Sequence, residues 1–374
     1  MSGAPPAEPI PLARPLLGEA EEAAVLGVLR TGRLSLGPAL GAFERAFAQR
    51  LGVPHASAVS SGTAGLHLAL RAAGVEEGSE VVTSPFSFVA SANAVLYERA
   101  RPVFADVDPR TLNLDPAAAA AAVGERTAAL LPVHIFGYPA DVPALEGLRL
   151  PIVEDACEAL GAVHPDGVPV GARGHPAVFA FYANKQITTG EGGMVVTADG
   201  AVKERIDSER NQGRAPDMGW LDHDRLGFNY RLSDIACALG LAQLGHLDAM
   251  LADRARVAAL YAEALEGIEG LELPAPDAGG ARRSWFVYVV RLPRGADRDG
   301  AVRALGGHGI ETKPYLPAIH LFSFYRERFG HRPGEFPVAE DAAARSLALP
   351  FFPGLSEAQA ERVARGLRDV LGRA

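Results

Sequence analysis

The chain has 374 residues, 48% of them hydrophobic, and a formal net charge of −9 from 36 lysines and arginines against 45 aspartates and glutamates. That length suffices for two domains, or one large domain with an appendage, around a sizeable core. The acidic balance, with no basic run or basic patch interleaved with aromatics, argues against a nucleic-acid partner, and no apolar stretch is long enough to span a membrane.

The opening MSGAPPAEPIPLARP is rich in proline and has no basic segment followed by an apolar one, so no signal peptide is expected. After this extended arm, residues 18–31 have helical periodicity with acids in the first turn, and Gly32 ends it. Residues 38–51 form a second helix, opened by Pro38 and closed by Gly52. A strand at 56–59 leads through Ser60, Ser61, Gly62 and Thr63 into a helix at 64–73. Small hydroxylated residues at such a junction are either an anion site, where free N–H groups and the positive helix end converge, or a plain helix cap. No Gly-Lys-Ser/Thr follows, so it is not a Walker loop.

The alternation continues with strand 80–83, helix 88–97, strand 102–106, helix 116–123, strand 128–133 and strand 151–155. It ends with strands 177–181 and 193–197, a helix at 202–211 and a loop at 213–229. Strands alternating with helices predict an α/β unit with a mostly parallel sheet flanked by helices. Helices at 234–247 and 251–265 connect to a remainder of different character, after a proline- and glycine-rich stretch at 274–280. There a strand at 285–292, a helix at 299–307, a strand at 310–313 and a terminal helix at 357–371 read as a smaller α+β unit. The expected division is 1–250, including the arm, and 251–374.

Chemistry concentrates in FAFYANKQITTGEGG, residues 179–193. Lys185 follows an apolar strand at the end where open sheets place ligands, and three glycines, Gly190, Gly192 and Gly193, allow tight turns and close backbone approach. A lysine there either is solvated or loses its proton readily and forms a Schiff base with a carbonyl. At the end of strand 151–155, Glu154 and Asp155 point to opposite sides, so one carboxylate can enter the crevice. A lysine, an aspartate about one strand away, a cup at a helix N-terminus and an aromatic ring, Phe88, together describe a site for pyridoxal 5′-phosphate. Cys157 and Cys237 have no metal-ligand spacing and read as buried free thiols of a reducing cytoplasm, and no metal is expected. His67 lies on an apolar helix face and reads as a core histidine, whereas His134 is open between core and cleft.

The motifs RLSLGPALGAFERAFA, SSGTAGLHLAL, SPFSFVASANAV, PVHIFGYPADV, VEDACEALGA, NKQITTGEGG and LGFNYRLSDI, in that order, resemble the DegT/DnrJ/EryC1/StrS family of sugar aminotransferases. The resemblance spans nearly the whole chain. It implies the fold type I architecture of aspartate aminotransferase, with a mostly parallel seven-stranded sheet and a smaller C-terminal domain. It also implies that Lys185 holds pyridoxal phosphate, that Asp155 pairs with the pyridine nitrogen, that Phe88 stacks on the ring and that Gly62 and Thr63 contact the phosphate. Asn229 would reach the cofactor of a second subunit, making a homodimer with shared sites. Many members have Gln or His near the phenolic oxygen where this chain has Glu158, and a carboxylate there is repelled unless protonated or turned away. Many have a serine where Ala180 stands, a loss of about 1 kcal/mol.

The implied activity moves an amino group from L-glutamate, or glutamine, to a keto-sugar, most simply a nucleotide-linked one. Tyr315, His320 and Arg231 are candidates for the sugar, each with packing or an ion pair as the alternative. Two other functions stay open: a sugar dehydratase of the same fold, against which Lys185 argues because histidine replaces it there, and a non-catalytic regulatory protein.

Overall fold

Short apolar runs bounded by turn residues form the main sheet in this computed structural model, which describes residues 8–215 and 222–372. Its strands are β1 (His55–Val59), β2 (Glu80–Thr83), β3 (Arg101–Phe104), β4 (Thr127–Leu131), β5 (Glu154–Asp155), β6 (Ala177–Ala180) and β7 (Gly193–Thr197). They lie in the order β1–β7–β6–β5–β4–β2–β3, with β7 antiparallel to both neighbours and the other pairs parallel. The join of β4 to β5 rests on the bridges Leu130–Ile152 and Val133–Asp155, with the Asp155 amide donating to the Pro132 carbonyl at 2.9 Å. The expected mostly parallel sheet of seven strands is present.

Side-chain alternation gives this sheet two buried faces. Ala177 and Phe179 of β6 and Met194 and Val196 of β7 pack with Phe43, Phe47 and Phe181 on one side. Val178 and Val195 pack on the other, against the helix Gly62–Ala72. Each of the Phe, Met and Val side chains among them contributes about 1.5–3 kcal/mol on burial. Glycines set how closely that helix approaches. A Cβ on Gly65 would lie 2.7 Å from Val178 Cγ1, and one on Gly193 would lie 2.8 Å from the backbone carbon of Ser61 and 2.9 Å from the Gly62 nitrogen.

A second, antiparallel sheet has the order β8–β10–β9, with β8 (Tyr288–Arg291), β9 (Lys313–Pro314) and β10 (Ser346–Leu349). Tyr261, Tyr288, Val290, Leu305, Leu347, Val363 and Leu367 form its core. Ile10 belongs to this core too, which corrects the placement of the arm with the larger unit. Its amide donates to the Gly309 carbonyl at 2.8 Å and its carbonyl accepts from the Glu311 amide at 3.0 Å. Residues 1–7 of the arm and 216–221 of the loop at 213–229 lie outside the described residues.

Other differences have local causes. The strand expected from 285 begins at Tyr288, because Trp285 sits at φ 47°, a left-handed conformation that no strand accommodates. The helix expected from Phe88 begins at Ala90, leaving the Phe88 carbonyl to accept from the Ser91 amide at 3.2 Å. Helices Asp234–Gly245 and Leu247–Ala264 meet at a 62° bend, and no single helix among the described residues is long and apolar enough to cross a membrane. Helices Val142–Glu146, Ser323–Phe329 and Pro337–Arg345 and strand β10 were not anticipated.

Because the neighbours of Gly193 are backbone atoms that cannot rotate aside, Gly193→Ala is expected to lose about 1–3 kcal/mol of stability in a urea melt. Gly27→Ala, inside the helix Glu19–Thr31 with open space around its Cβ, is the comparison and is expected to gain about 0.5–1 kcal/mol.

Candidate active site

A cavity of about 390 Å³ opens where β5 and β6 end and the helix Gly62–Ala72 begins. Gly62, Thr63, Phe88, Asp155, Glu158, Lys185 and Tyr315 all line it, so seven of the residues singled out from sequence come together. Asp155 is 5% exposed. It accepts a hydrogen bond from Ser91 Oγ at 2.7 Å and one from the Cys157 amide at 3.2 Å. A carboxylate has about four acceptor positions, so one more donor can be met from the cavity.

Its neighbour Glu154 points the other way, as alternation requires, and is fully buried beside His134. His134 Nδ1 accepts from the Ala140 amide at 2.9 Å, which assigns the proton to Nε2, 2.9 Å from Glu154 Oε2. Burial pushes the Glu154 carboxyl up, but the hydrogen bond from His134 opposes it, and the net shift is downward. His134 is therefore a core residue. His67 is also buried, between Glu98 and Tyr230.

Beyond β6 the chain turns at 182–185, the Lys185 amide donating to the Tyr182 carbonyl at 2.9 Å. The Lys185 amine lies 3.6 Å from Glu158 Oε1 and 3.9 Å from the centre of the Phe286 ring. Glu158 Oε2 accepts from the Phe136 amide at 2.8 Å. Burial raises the Glu158 carboxyl above its ordinary range; Lys185 and the Phe136 N–H offset only part of this, and Asp155 adds to it. Burial likewise pushes the Tyr315 phenol up, with Glu158 as the second cause.

At the opposite end, Ser61 Oγ accepts from the Ala64 amide at 3.1 Å and the Ser61 carbonyl from the Gly65 amide at 3.1 Å. The N–H groups of Gly62 and Thr63 belong to the first helical turn and have no partner within the helix. Gly62 has no room for a side chain: a Cβ would meet Ala180 Cβ at 2.8 Å and Cys157 Sγ at 2.9 Å.

Three expected residues are elsewhere. His320 is fully buried, 3.1 Å from Glu340 and packed on Phe104 and Phe336, which corrects its assignment to the sugar. Asn229 is exposed and pairs through its backbone with Asn211, and Arg231 donates to Asn211 Oδ1 at 3.0 Å. Cys237 is buried, but Cys157 is only half-buried and lines the cavity. Sequence reading missed Ser91, although it stands one helical turn beyond Phe88, the spacing at which two side chains share a face. It also missed Phe286, whose contact with Lys185 spans about a hundred residues and leaves no local pattern.

The family model for the DegT/DnrJ/EryC1/StrS aminotransferases matches residues 15–368. The chain belongs to that family. GDP-perosamine synthase of Caulobacter vibrioides is 39% identical over 369 residues, 97% of this chain and 98% of that protein. DesV from S. venezuelae has a TM-score of 0.88 and 37% identity over 95% of each chain. DesI, solved in the presence of its TDP-sugar product, has a TM-score of 0.90 and 33% identity over 98% of this chain and 94% of its own. This aminotransferase thus has the fold type I frame and pyridoxal phosphate as its cofactor. The residues fit the group: an amine and a carboxylate share one cavity, and a helix N-terminus narrowed by glycine opens into it.

A raised carboxyl pKa means that the folded chain binds this proton more tightly than the unfolded chain does. Stability from Glu158 is therefore full below the ordinary value of 4.5 and is lost as pH rises through the folded value. Glu158→Gln in the cofactor-free protein is expected to raise Tm at pH 8 on the order of a few degrees, with the gain vanishing toward pH 4.

Proposed function

We propose that this aminotransferase moves the amino group of L-glutamate to a nucleotide-linked keto-sugar in two half-reactions. The observation that carries the reading is the placement of Asp155, Lys185 and the first turn of the helix Gly62–Ala72 around one cavity. Sugar as acceptor is supported by the relatives, among them a GDP-perosamine synthase and a DesI structure with a TDP-sugar product. Pyridoxal phosphate, when bound, supplies the electron sink for the α-carbon of the donor.

The chain's own residues have separate tasks. Lys185 holds the cofactor covalently and, once displaced by the donor, its amine carries the proton from the donor's α-carbon. Asp155, oriented by Ser91, keeps the ring nitrogen protonated. Gly62 and Thr63 bind the phosphate through the helix N-terminus, and Phe88 covers the ring face. Glu158, whose proton burial holds more tightly, stands near the phenolic oxygen and when protonated donates to it, which removes the repulsion expected of a carboxylate. Tyr315 faces the acceptor.

Of the charged residues lining the cavity, Asp155, Glu158 and Glu191 are acidic and Lys185 alone is basic. A phosphate and an anionic donor require more donors than this, which supports a homodimer in which Asn229 and, beside it, Arg231 serve the neighbouring site. The two units, divided near residue 250, would flank that shared site, with the arm docked on the second. Two free thiols and a nucleotide-linked substrate favour the cytoplasm as the place of action.

The decisive measurement is the visible spectrum of the protein loaded with pyridoxal phosphate, before and after L-glutamate. A visible band that bleaches with glutamate and returns with a nucleotide-linked keto-sugar is expected for the wild type, and no band for Lys185→Ala. Asp155→Asn should bleach more slowly by roughly 10²–10⁴-fold. A wild-type band indifferent to both glutamate and glutamine would overturn the donor assignment.

Sharing of the site makes a separate expectation. Lys185→Ala and Asn229→Ala are each impaired alone, and mixed after brief unfolding they should regain about a quarter of wild-type activity, since half the dimers are mixed and each has one intact site. Static light scattering on the same samples reports the dimer.

A further inference from the structure

Arg254 lies on the helix Leu247–Ala264 and is 4% exposed. Among the described residues no carboxylate stands within ion-pair distance of it; the adjacent Asp253 faces Arg256 instead. Its guanidinium is spent on main-chain carbonyls. Nη1 donates to Phe286 at 3.0 Å and Trp285 at 3.3 Å, and Nη2 donates to the carbonyl of Lys185 at 3.2 Å. The face of the group lies 5.7 Å from the centre of the Phe351 ring, and Nε has no partner.

A buried cation without a counter-charge is costly, and burial pushes this guanidinium down to about 10. An apolar side chain would pack here at lower cost, so the planar fork is best explained by what it holds together. It bonds the backbone of Lys185 and the backbone of Phe286, and the Phe286 ring lies 3.9 Å from the Lys185 amine. Both ends of the lysine are thus referred to one group: its carbonyl directly, its amine through the ring. The third carbonyl belongs to Trp285, whose φ of 47° is a strained conformation that its surroundings must hold in place.

We propose that Arg254 is a positioning residue for the amino-transfer reaction, acting through the carbonyls of Lys185 and Phe286 to fix where the lysine amine stands in the cavity. The inference rests on Lys185 as the cofactor-bearing residue. Arg283 offers a matched control. It is 7% exposed, is pushed by burial to about 10, bonds the Ala275 carbonyl at 3.3 Å and has no bond to Lys185.

The test mixes cofactor-free full-length protein with pyridoxal phosphate and follows, against pH, the rate at which the visible band appears and the pH midpoint of that band. Arg254→Met is expected to slow its appearance about 10- to 100-fold, the penalty of a misplaced reacting group. Its midpoint should move by about half a pH unit or more. Arg254→Lys keeps the charge but cannot span three carbonyls, so it should fall between the two. Arg283→Lys should lower Tm while leaving rate and midpoint unchanged. Wild-type rate and midpoint in the Arg254 variants, or the same change in Arg283→Lys, would overturn the proposal. If neither Arg254 variant folds, Phe286→Leu decides, because an unchanged midpoint there breaks the proposed link. A wild type that forms no band defeats the Lys185 assignment and the role of Arg254 with it, whereas a normal wild-type band with unchanged Arg254 variants defeats the role of Arg254 alone.

Discussion

Everything in the cavity depends on a strand only two residues long. β5 joins β6 to β4, and so ties the two groups of strands into one sheet. Its main chain is fixed from both sides: the Asp155 amide donates to Pro132 at 2.9 Å, and its carbonyl accepts from His134 at 3.0 Å. With the backbone held there, alternation leaves no choice for the side chains. Asp155 enters the cavity and Glu154 enters the core, where a neutral His134 of assigned tautomer meets it. A slip of one residue would turn Asp155 away and leave Glu154 or Ala156 in its place, according to the direction of the slip.

The electrostatics follow from the same placement. Asp155 and Glu158 are three residues apart at the end of β5, both buried and both lining the cavity that holds the Lys185 amine. Two anions so close in a poorly hydrated space cannot both be favoured. Asp155 has Ser91 and a backbone N–H to stabilise its charge, whereas for Glu158 burial outweighs what the Phe136 N–H and Lys185 supply. The two carboxyls therefore differ in their surroundings: Asp155 is held by two hydrogen bonds, and burial makes Glu158 hold its proton more tightly than an exposed carboxyl does.

The sequence was most legible where physics is local. Short apolar runs marked the strands, β5 through the three residues 151–153 that precede it, and Gly32 and Gly52 marked helix ends, because each signal lies within a few residues of its effect. Lys185 and Asp155 were visible because each follows such a strand. Illegibility had equally concrete causes. Between the helix Pro337–Arg345 and β10 no residue intervenes, so no turn residue announces the change of period. His320 had the composition of a site residue, yet its place among Phe104, Phe336 and Glu340 is decided by tertiary packing. Ile10 was assigned by proximity in the chain, but the edge it completes lies three hundred residues away.

Arg254 and Ile10 also bear on how the two cores work as one molecule. The lysine loop belongs to the main sheet, whereas Arg254 stands on the helix whose Val257, Ala258 and Tyr261 pack into the second core. A guanidinium with three carbonyl acceptors therefore spans the boundary between a rigid sheet and a separately packed unit, and the arm crosses it again at Ile10. Displacement of the second core would act directly on the carbonyl of Lys185 through this group. A planar anchor on the carbonyl of Lys185 holds the main chain there and leaves the four side-chain torsions to be set by what surrounds the amine.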